Sequence, residues 1–373
     1  MKRRVSALLL AMCLLLTGCD WAGGSYVSIT PHQEQRPSTQ TAMTSAANYR
    51  QLVEALTDMI AQGRESAAIN VSEYSTEYLE KAMSSAVRHA MTNDPVGAYA
   101  VESIDYELGS SGTQPAYSVK INYRKNWVEI QKIQNLKTME EVQPLVAEAL
   151  KECAADVVML VETYEERDIA QMVQTYSLEN PQTVMETPTV VVKTYGANKS
   201  RVVEVNFQYQ TPRDTLRQMQ TQIKPMFDAA VLYVSGDGAA RQKYYQLYAF
   251  LMERFDYTVE SSITPAYSLL RKGVGDSQAF ATVYAAMCHA AGLECIVVNG
   301  TRNGVPRTWN MVMADLHYYH VDLLYCSEWG KYMQKTDNQM QGYDWDRTAY
   351  PACTGAVTEE AVPAEEITEE TAK

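Results

Sequence analysis

The sequence predicts an α+β protein: two tandem helix-strand-helix-strand-strand repeats, then a third domain in which one helix aims its N-terminus at a small sheet. Three observations lead there. Apolar and polar residues alternate at 117–123 and again at 203–207, the period-two signature of half-buried strands. Leu79, Met83, Val87 and Met91, and later Ile169, Val173 and Tyr176, recur every three to four residues, the helical period. Residues 266–323 then run through a glycine-rich turn, an apolar helix, a glycine stop and three short strands.

The start of the chain reads as an export signal. Lys2, Arg3 and Arg4 precede an apolar run from Val5 to Leu16, too short to span a bilayer comfortably. The run ends in Leu16-Thr17-Gly18-Cys19, which resembles a bacterial lipobox. That resemblance implies a lipoprotein signal peptide over 1–18 and lipid attachment at Cys19. The expected location is extracytoplasmic, anchored to the cell membrane through the lipid. Removing the three positive groups of the signal takes the net charge from −13 to −16. Such an acidic surface is a poor partner for nucleic acid.

Residues 19–46 are rich in Ser, Thr, Gln and Gly, with Pro31 and Pro37, and show no periodic apolar face. They are predicted to form a flexible tether. Residues 355–373 carry six glutamates and few large apolar residues, the composition of a disordered acidic tail. Of seven cysteines, Cys13 leaves with the signal and Cys19 takes the lipid. Cys153, Cys288, Cys295, Cys326 and Cys353 remain, an odd number that cannot all pair. Cys326 and Cys353 are a candidate pair. No Cys-x-x-Cys or Cys/His cluster has metal spacing, so neither a metal nor a cofactor is expected.

Between these ends the first half looks duplicated. INVSEYSTEYLEKAM (69–83) parallels MLVETYEERDIAQMV (159–173), and YSVKINYRK (117–125) parallels RVVEVNFQY (201–209). In the strands, Tyr117, Val119, Ile121 and Tyr123 share one face, and Val203, Val205 and Phe207 match them against Glu204 and Asn206. Each copy opens with a helix, near 49–62 and 139–153. The repeats are assigned to 47–135 and 136–235. Neither holds a catalytic constellation. The acidic run Glu162, Glu165, Glu166 and Asp168 suits a solvated helix N-terminus. A helix around 244–258 then leads into the third domain, 240–354.

That domain carries the chemistry-bearing phrases. Gly273 and Gly275 open a helix with an apolar face of Phe280, Tyr284, Met287 and Ala291, and Gly292 ends it. Strands are predicted at Cys295–Val298, Trp309–Ala314 and Tyr318–Leu323, with a turn at Asp315. Three phrases stand out: Gln278-Ala279-Phe280-Ala281, Arg307-Thr308-Trp309-Asn310 and Tyr319-His320-Val321-Asp322. Together they resemble the transglutaminase-like superfamily, whose core is shared with papain-type peptidases. The resemblance covers about 240–353, including DNQMQGYDWDRTAYPAC (337–353).

In that family a cysteine precedes the first phrase, a histidine opens the second, and an aspartate ends the third. The resemblance therefore puts Ser277 in the place of the cysteine, Arg307 in the place of the histidine, and Asp322 at the aspartate. A triad cysteine needs a histidine and a positive helix end to become a thiolate. A serine in its place needs a base, and a guanidinium stays protonated across the usable pH range. The domain is thus expected to be catalytically degenerate, with Arg307 and Asp322 forming a bidentate pair. Gln278, Trp309, Asn310 and His320 are candidate cleft residues.

The leading functional expectation is binding or scaffolding of a peptide, a protein or a cell-wall polymer. A serine-dependent amidase or peptidase, using Ser277 with His320 or His317, is the alternative. In a third reading the repeats alone bind a partner and the third domain caps them.

Overall fold

The computed structural model describes residues 43–355, apart from Ser235 and Asp237. The expected signal peptide, Cys19, the tether up to residue 42 and the acidic tail from 356 lie outside the described residues.

The first unit runs β1 (Met43–Ser45), α1 (Tyr49–Ala61), β2 (Ser66–Asn70), α2 (Leu79–Thr92), α3 (Pro95–Ala100), β3 (Val101–Ser111), β4 (Gln114–Tyr123) and α4 (Trp127–Gln131). The second runs β5 (Gln134–Thr138), α5 (Val142–Lys151), β6 (Asp156–Thr163), α6 (Ile169–Glu179), β7 (Thr189–Tyr195) and β8 (Arg201–Gln208). The sheets have orders β1-β2-β4-β3 and β5-β6-β8-β7. In each, the first two strands are parallel and the remaining pairs antiparallel.

Each unit thus begins with a strand ahead of its first helix. Residues 43–45, read as the end of the tether, pair with 68–70. The boundary at 135/136 falls inside β5, which pairs with β6. Both strands expose most of their side chains, so no alternation marks them; backbone pairing alone orders them. The short helix α3 also departs from the predicted plan. Asp94 caps it by accepting the Gly97 N–H, and Pro95 occupies its first turn.

Strand β8 corrects a second expectation. Val203, Val205 and Phe207 are buried as predicted, but Glu204 on the opposite face is buried too. The first unit covers that face through Tyr99 and Ala100, which cluster with Val158 and Val202. The Glu204 carboxylate accepts from Lys125 Nζ at 2.8 Å and from the Tyr195 hydroxyl at 2.8 Å, and Lys125 lies over the Tyr99 ring. Burial works to raise the Glu204 pKa, but the bonds from Lys125 and Tyr195 outweigh it and hold the carboxyl below its usual range. Burial and the bond to Glu204 push the Tyr195 phenol up to about 12.

A group with a depressed folded pKa stabilises fully above its unfolded value, about 4.3 for Glu, and loses that contribution as pH falls through the folded value. Glu204→Gln should therefore be less stable than the parent at pH 7. The gap should close as pH drops below about 4.3. Urea unfolding followed from pH 7 to pH 3 checks this; a gap that does not change with pH would contradict it.

The third unit contains α7 (Arg213–Tyr233), α8 (Ala240–Met252), β9 (Asp256–Tyr257), α9 (Pro265–Tyr267) continued by a π turn, β10 (Val274–Gly275), α10 (Ser277–Ala290), β11 (Cys295–Arg302), β12 (Val305–Ala314), β13 (His317–Val321), α11 (Leu323–Glu328) and β14 (Tyr343–Asp344). Its main sheet is antiparallel, with order β13-β12-β11-β14. The helix expected at 244–258 stops at Met252, and the strand expected to reach Leu323 stops at Val321.

Helix α7, assigned to the second repeat, instead packs Leu216, Ile223 and Phe227 into the core of the third unit. Helix α10 is the centre of that core. Every residue from Ala279 to Cys288 is buried, not only the predicted face, because α7, α8 and the sheet enclose it. Its small residues permit this all-round packing. Gly292 follows it at φ +71°, a left-handed stop that glycine adopts without strain.

All five described cysteines are free and buried, so Cys326 and Cys353 do not pair. Cys326 Sγ instead accepts the Met333 N–H. Among the described residues no helix is long and apolar enough to cross a membrane. The described residues form an α+β fold.

Candidate functional site

The site is assembled where the N-terminus of α10 meets β12. Asp276 caps the helix: its carboxylate accepts the Ala279 N–H at 2.9 Å and the Ser261 hydroxyl at 2.6 Å. Ser277 is the first helical residue and half-buried. Its Oγ accepts the Thr308 N–H at 3.2 Å, which ties helix to strand. Thr308 Oγ in turn donates to Asn299 Oδ1 at 3.1 Å.

One residue before Thr308, Arg307 reaches across to Asp322. Nε donates to Oδ2 and Nη2 to Oδ1, both at 2.8 Å. The side chains are only 9% and 5% exposed, so this is a buried, bidentate ion pair. Asp322 receives three further bonds. The Tyr343 hydroxyl donates to Oδ2 at 2.8 Å, and the Leu324 and Tyr325 N–H groups donate to Oδ1 at 3.1 Å. Asp322 is therefore also the N-cap of α11. Burial works against the Arg307 charge, but the bonds and charge of Asp322 more than offset it and raise its pKa. Burial and the charge of Asp322 likewise push the Tyr343 phenol well up.

The other candidate cleft residues divide. Gln278 lies beside Ser277 at the cleft. Trp309 and Asn310 are buried behind it, and the Asn310 amide donates to the Ala281 carbonyl at 2.9 Å. The Asn310 Oδ1 is buried with no hydrogen-bond partner.

His320 is fully buried on the far side of Trp309 and is not part of the cleft. The Trp309 indole N–H donates to its Nδ1 at 3.0 Å, and its Nε2 lies 2.9 Å from Asp337 Oδ1. Burial lowers its pKa against the pull of Asp337. The ring is neutral, with its proton on Nε2 and donated to Asp337.

His317 sits at the opposite end of the sheet. It pairs with Ala314, six residues along β12 from Thr308, roughly 20 Å at about 3.3 Å per residue. No histidine among the described residues hydrogen-bonds to Ser277.

His320, Asp337 and Cys353 bring three ligand types within 4.8 Å of one another. The bonding opposes a metal there. Trp309 occupies Nδ1 as a donor, so Nε2 must keep its proton, whereas a ligating imidazole presents a bare nitrogen and donates from the other. Burial also pushes the Cys353 thiol up to about 12. The cluster is a hydrogen-bonded staple: the Asp337 N–H donates to the Cys353 carbonyl at 2.9 Å, and the Cys353 N–H returns to Asp337 Oδ1 at 3.2 Å.

The sequence gives no role to Tyr343, Asn299 or Ser261, and shows Thr308 only as part of the phrase that begins at Arg307. Tyr343 belongs to the 337–353 segment, so the signal was present but carried no role. Asn299 and Ser261 act through side-chain bonds to residues 9 and 15 positions away, a pairing that leaves no mark in a sequence.

Comparison with known proteins bears on this region. The transglutaminase-like superfamily matches residues 228–323, a span that holds Ser277, Arg307 and Asp322. The third unit is thus a transglutaminase-like domain. No curated protein matches the chain.

Similar solved structures include a TGase, at 12% identity over 45% of this chain and 50% of that one, with a TM-score of 0.26. A candidate cysteine protease from Cytophaga hutchinsonii is 11% identical over 39% of this chain and 65% of that one, TM-score 0.26. A candidate protease from Parabacteroides distasonis is 9% identical over 57% of this chain and 47% of that one, TM-score 0.23. The chain thus spans about half to two-thirds of the length of these proteins.

Proposed function

We propose that this transglutaminase-like domain binds its ligand without cleaving it, on a chain anchored to the cell membrane outside the cytoplasm by a lipid on Cys19. The ligand class is a peptide, a protein or a cell-wall polymer. The observation that carries the reading is the buried pair between Arg307 and Asp322. In the family resemblance these positions hold the histidine that moves protons and the aspartate that orients it. A guanidinium held at 2.8 Å by a carboxylate accepts no proton from Ser277.

Among the described residues no histidine stands in as the base. His320 spends both ring nitrogens on Trp309 and Asp337, and His317 stands roughly 20 Å away along the strand. Ser277 Oγ accepts a backbone N–H, which leaves its own proton unclaimed. Without a base a serine hydroxyl is a weak nucleophile.

A fluorophosphonate probe, which reports activated serines, should leave the purified full chain unlabelled. Labelling that maps to Ser277 and disappears in Ser277→Ala would establish the enzyme reading instead.

A further inference from the structure

The cleft that opens at Gln278 has a second wall, and that wall comes from the second unit. Its volume is about 390 Å³, within the roughly 300–1,000 Å³ of small-ligand sites. The transglutaminase-like domain contributes Gln278 and Asn299. Helix α6 contributes Gln174 and Leu178, the segment entering β7 contributes Thr187, and β7 itself contributes Val190. Asn299 joins this cleft to the Ser277 corner through Thr308.

The composition of the lining is informative. No charged side chain lines it, although 21% of the chain is charged. Two glutamines, an asparagine and a threonine offer both donors and acceptors, and Leu178 and Val190 offer small apolar faces. A charged occupant would lose water and meet no counter-ion there. No aromatic ring lines the cleft, so a sugar would find no flat face to stack on. Peptide groups, with one donor and one acceptor per residue, suit paired amide side chains.

We infer that the second unit and the transglutaminase-like domain jointly bind a short, uncharged stretch of extended polypeptide, with α6 and the start of β7 as the selecting wall. This rests on the non-catalytic binding reading and adds to it the ligand class and the residues that choose it. On this view the second unit is a specificity element fused to the domain rather than a spacer.

The test uses acetyl-Val-Gln-Val-amide as the probe, titrated into the full chain and followed by NMR line broadening. Acetyl-Glu-Glu-Glu-amide, acetyl-Lys-Lys-Lys-amide and the N-acetylglucosamine trimer serve as contrasts. Ala170→Phe places a ring in the cleft from the exposed face of α6, where Ala170 also lines it. Gln174→Ala removes one amide from the same exposed face.

Saturable binding of the neutral peptide, at least fivefold tighter than each contrast and weakened at least fivefold by either variant, supports the inference. Equal or tighter binding of a charged peptide or the glycan overturns it, as does no saturable binding at all. Peptide binding untouched by Ala170→Phe but lost in Gln278→Ala overturns the second wall while leaving the binding function standing. Fluorophosphonate labelling of Ser277 is the separate result that overturns the function itself.

Discussion

Arg307→Ala should destabilise the protein by about 3–5 kcal/mol, the cost of leaving a buried carboxylate without its cation. Asp322 is almost wholly enclosed and draws two of its five hydrogen bonds from Arg307. Without them, Tyr343 and two backbone N–H groups must hold a full negative charge in the core. Urea unfolding at pH 7 measures the loss. Arg307→Met with Asp322→Asn should recover most of it, because the charge goes while asparagine still caps α11. A loss below about 1 kcal/mol for Arg307→Ala would place the pair among exposed bridges of little energetic weight.

Ser277→Cys combined with Arg307→His should create a reactive thiol where the parent has none. The new imidazole would stand beside Asp322, which would orient it and favour its charged form. A cysteine near such an imidazolium titrates at roughly 3.5–7.5 rather than about 8.5. Iodoacetamide at pH 6 should therefore modify the double variant at least tenfold faster than Ser277→Cys alone. The background is favourable: all five described cysteines are buried, and burial pushes the thiols of Cys326 and Cys353 up to about 12. The cap Asp276 works the other way, since its carboxylate opposes a thiolate one residue later. Equal alkylation rates in single and double variants would show that these positions are not arranged as a triad.

Much of the site was legible because it is built from local phrases. The helix opened by Gly273 and Gly275 and the three phrases around Ser277, Arg307 and Asp322 announce themselves by residue type and spacing. What escaped was whatever depends on a partner distant in sequence. Strand β1 buries no side chain and β5 only Leu136, so both owe their order largely to a neighbour's backbone. Glu204 sits at a position of polar alternation and looks solvated, yet the first unit covers it and supplies Lys125. Helix α7 follows the second unit in sequence and so looked like its last element, but its apolar residues fit the groove beside α10. His320 lies two residues from Asp322, which suggested a shared task. The fold hands it to Trp309 and Asp337 instead.

Trp309 also makes the site observable without any label. Its indole is fully buried, stands edge-on to Trp345 at 5.9 Å and 87°, and meets Tyr343 at 5.3 Å. Two indoles that close are expected to couple their electronic transitions, so the folded site should carry its own circular-dichroism couplet. Tyr343 belongs both to this aromatic group and to the bonds on Asp322. A disturbance of the ion pair should therefore reach the optical signal before the rest of the molecule unfolds, so light alone can follow the state of the cleft's inner wall.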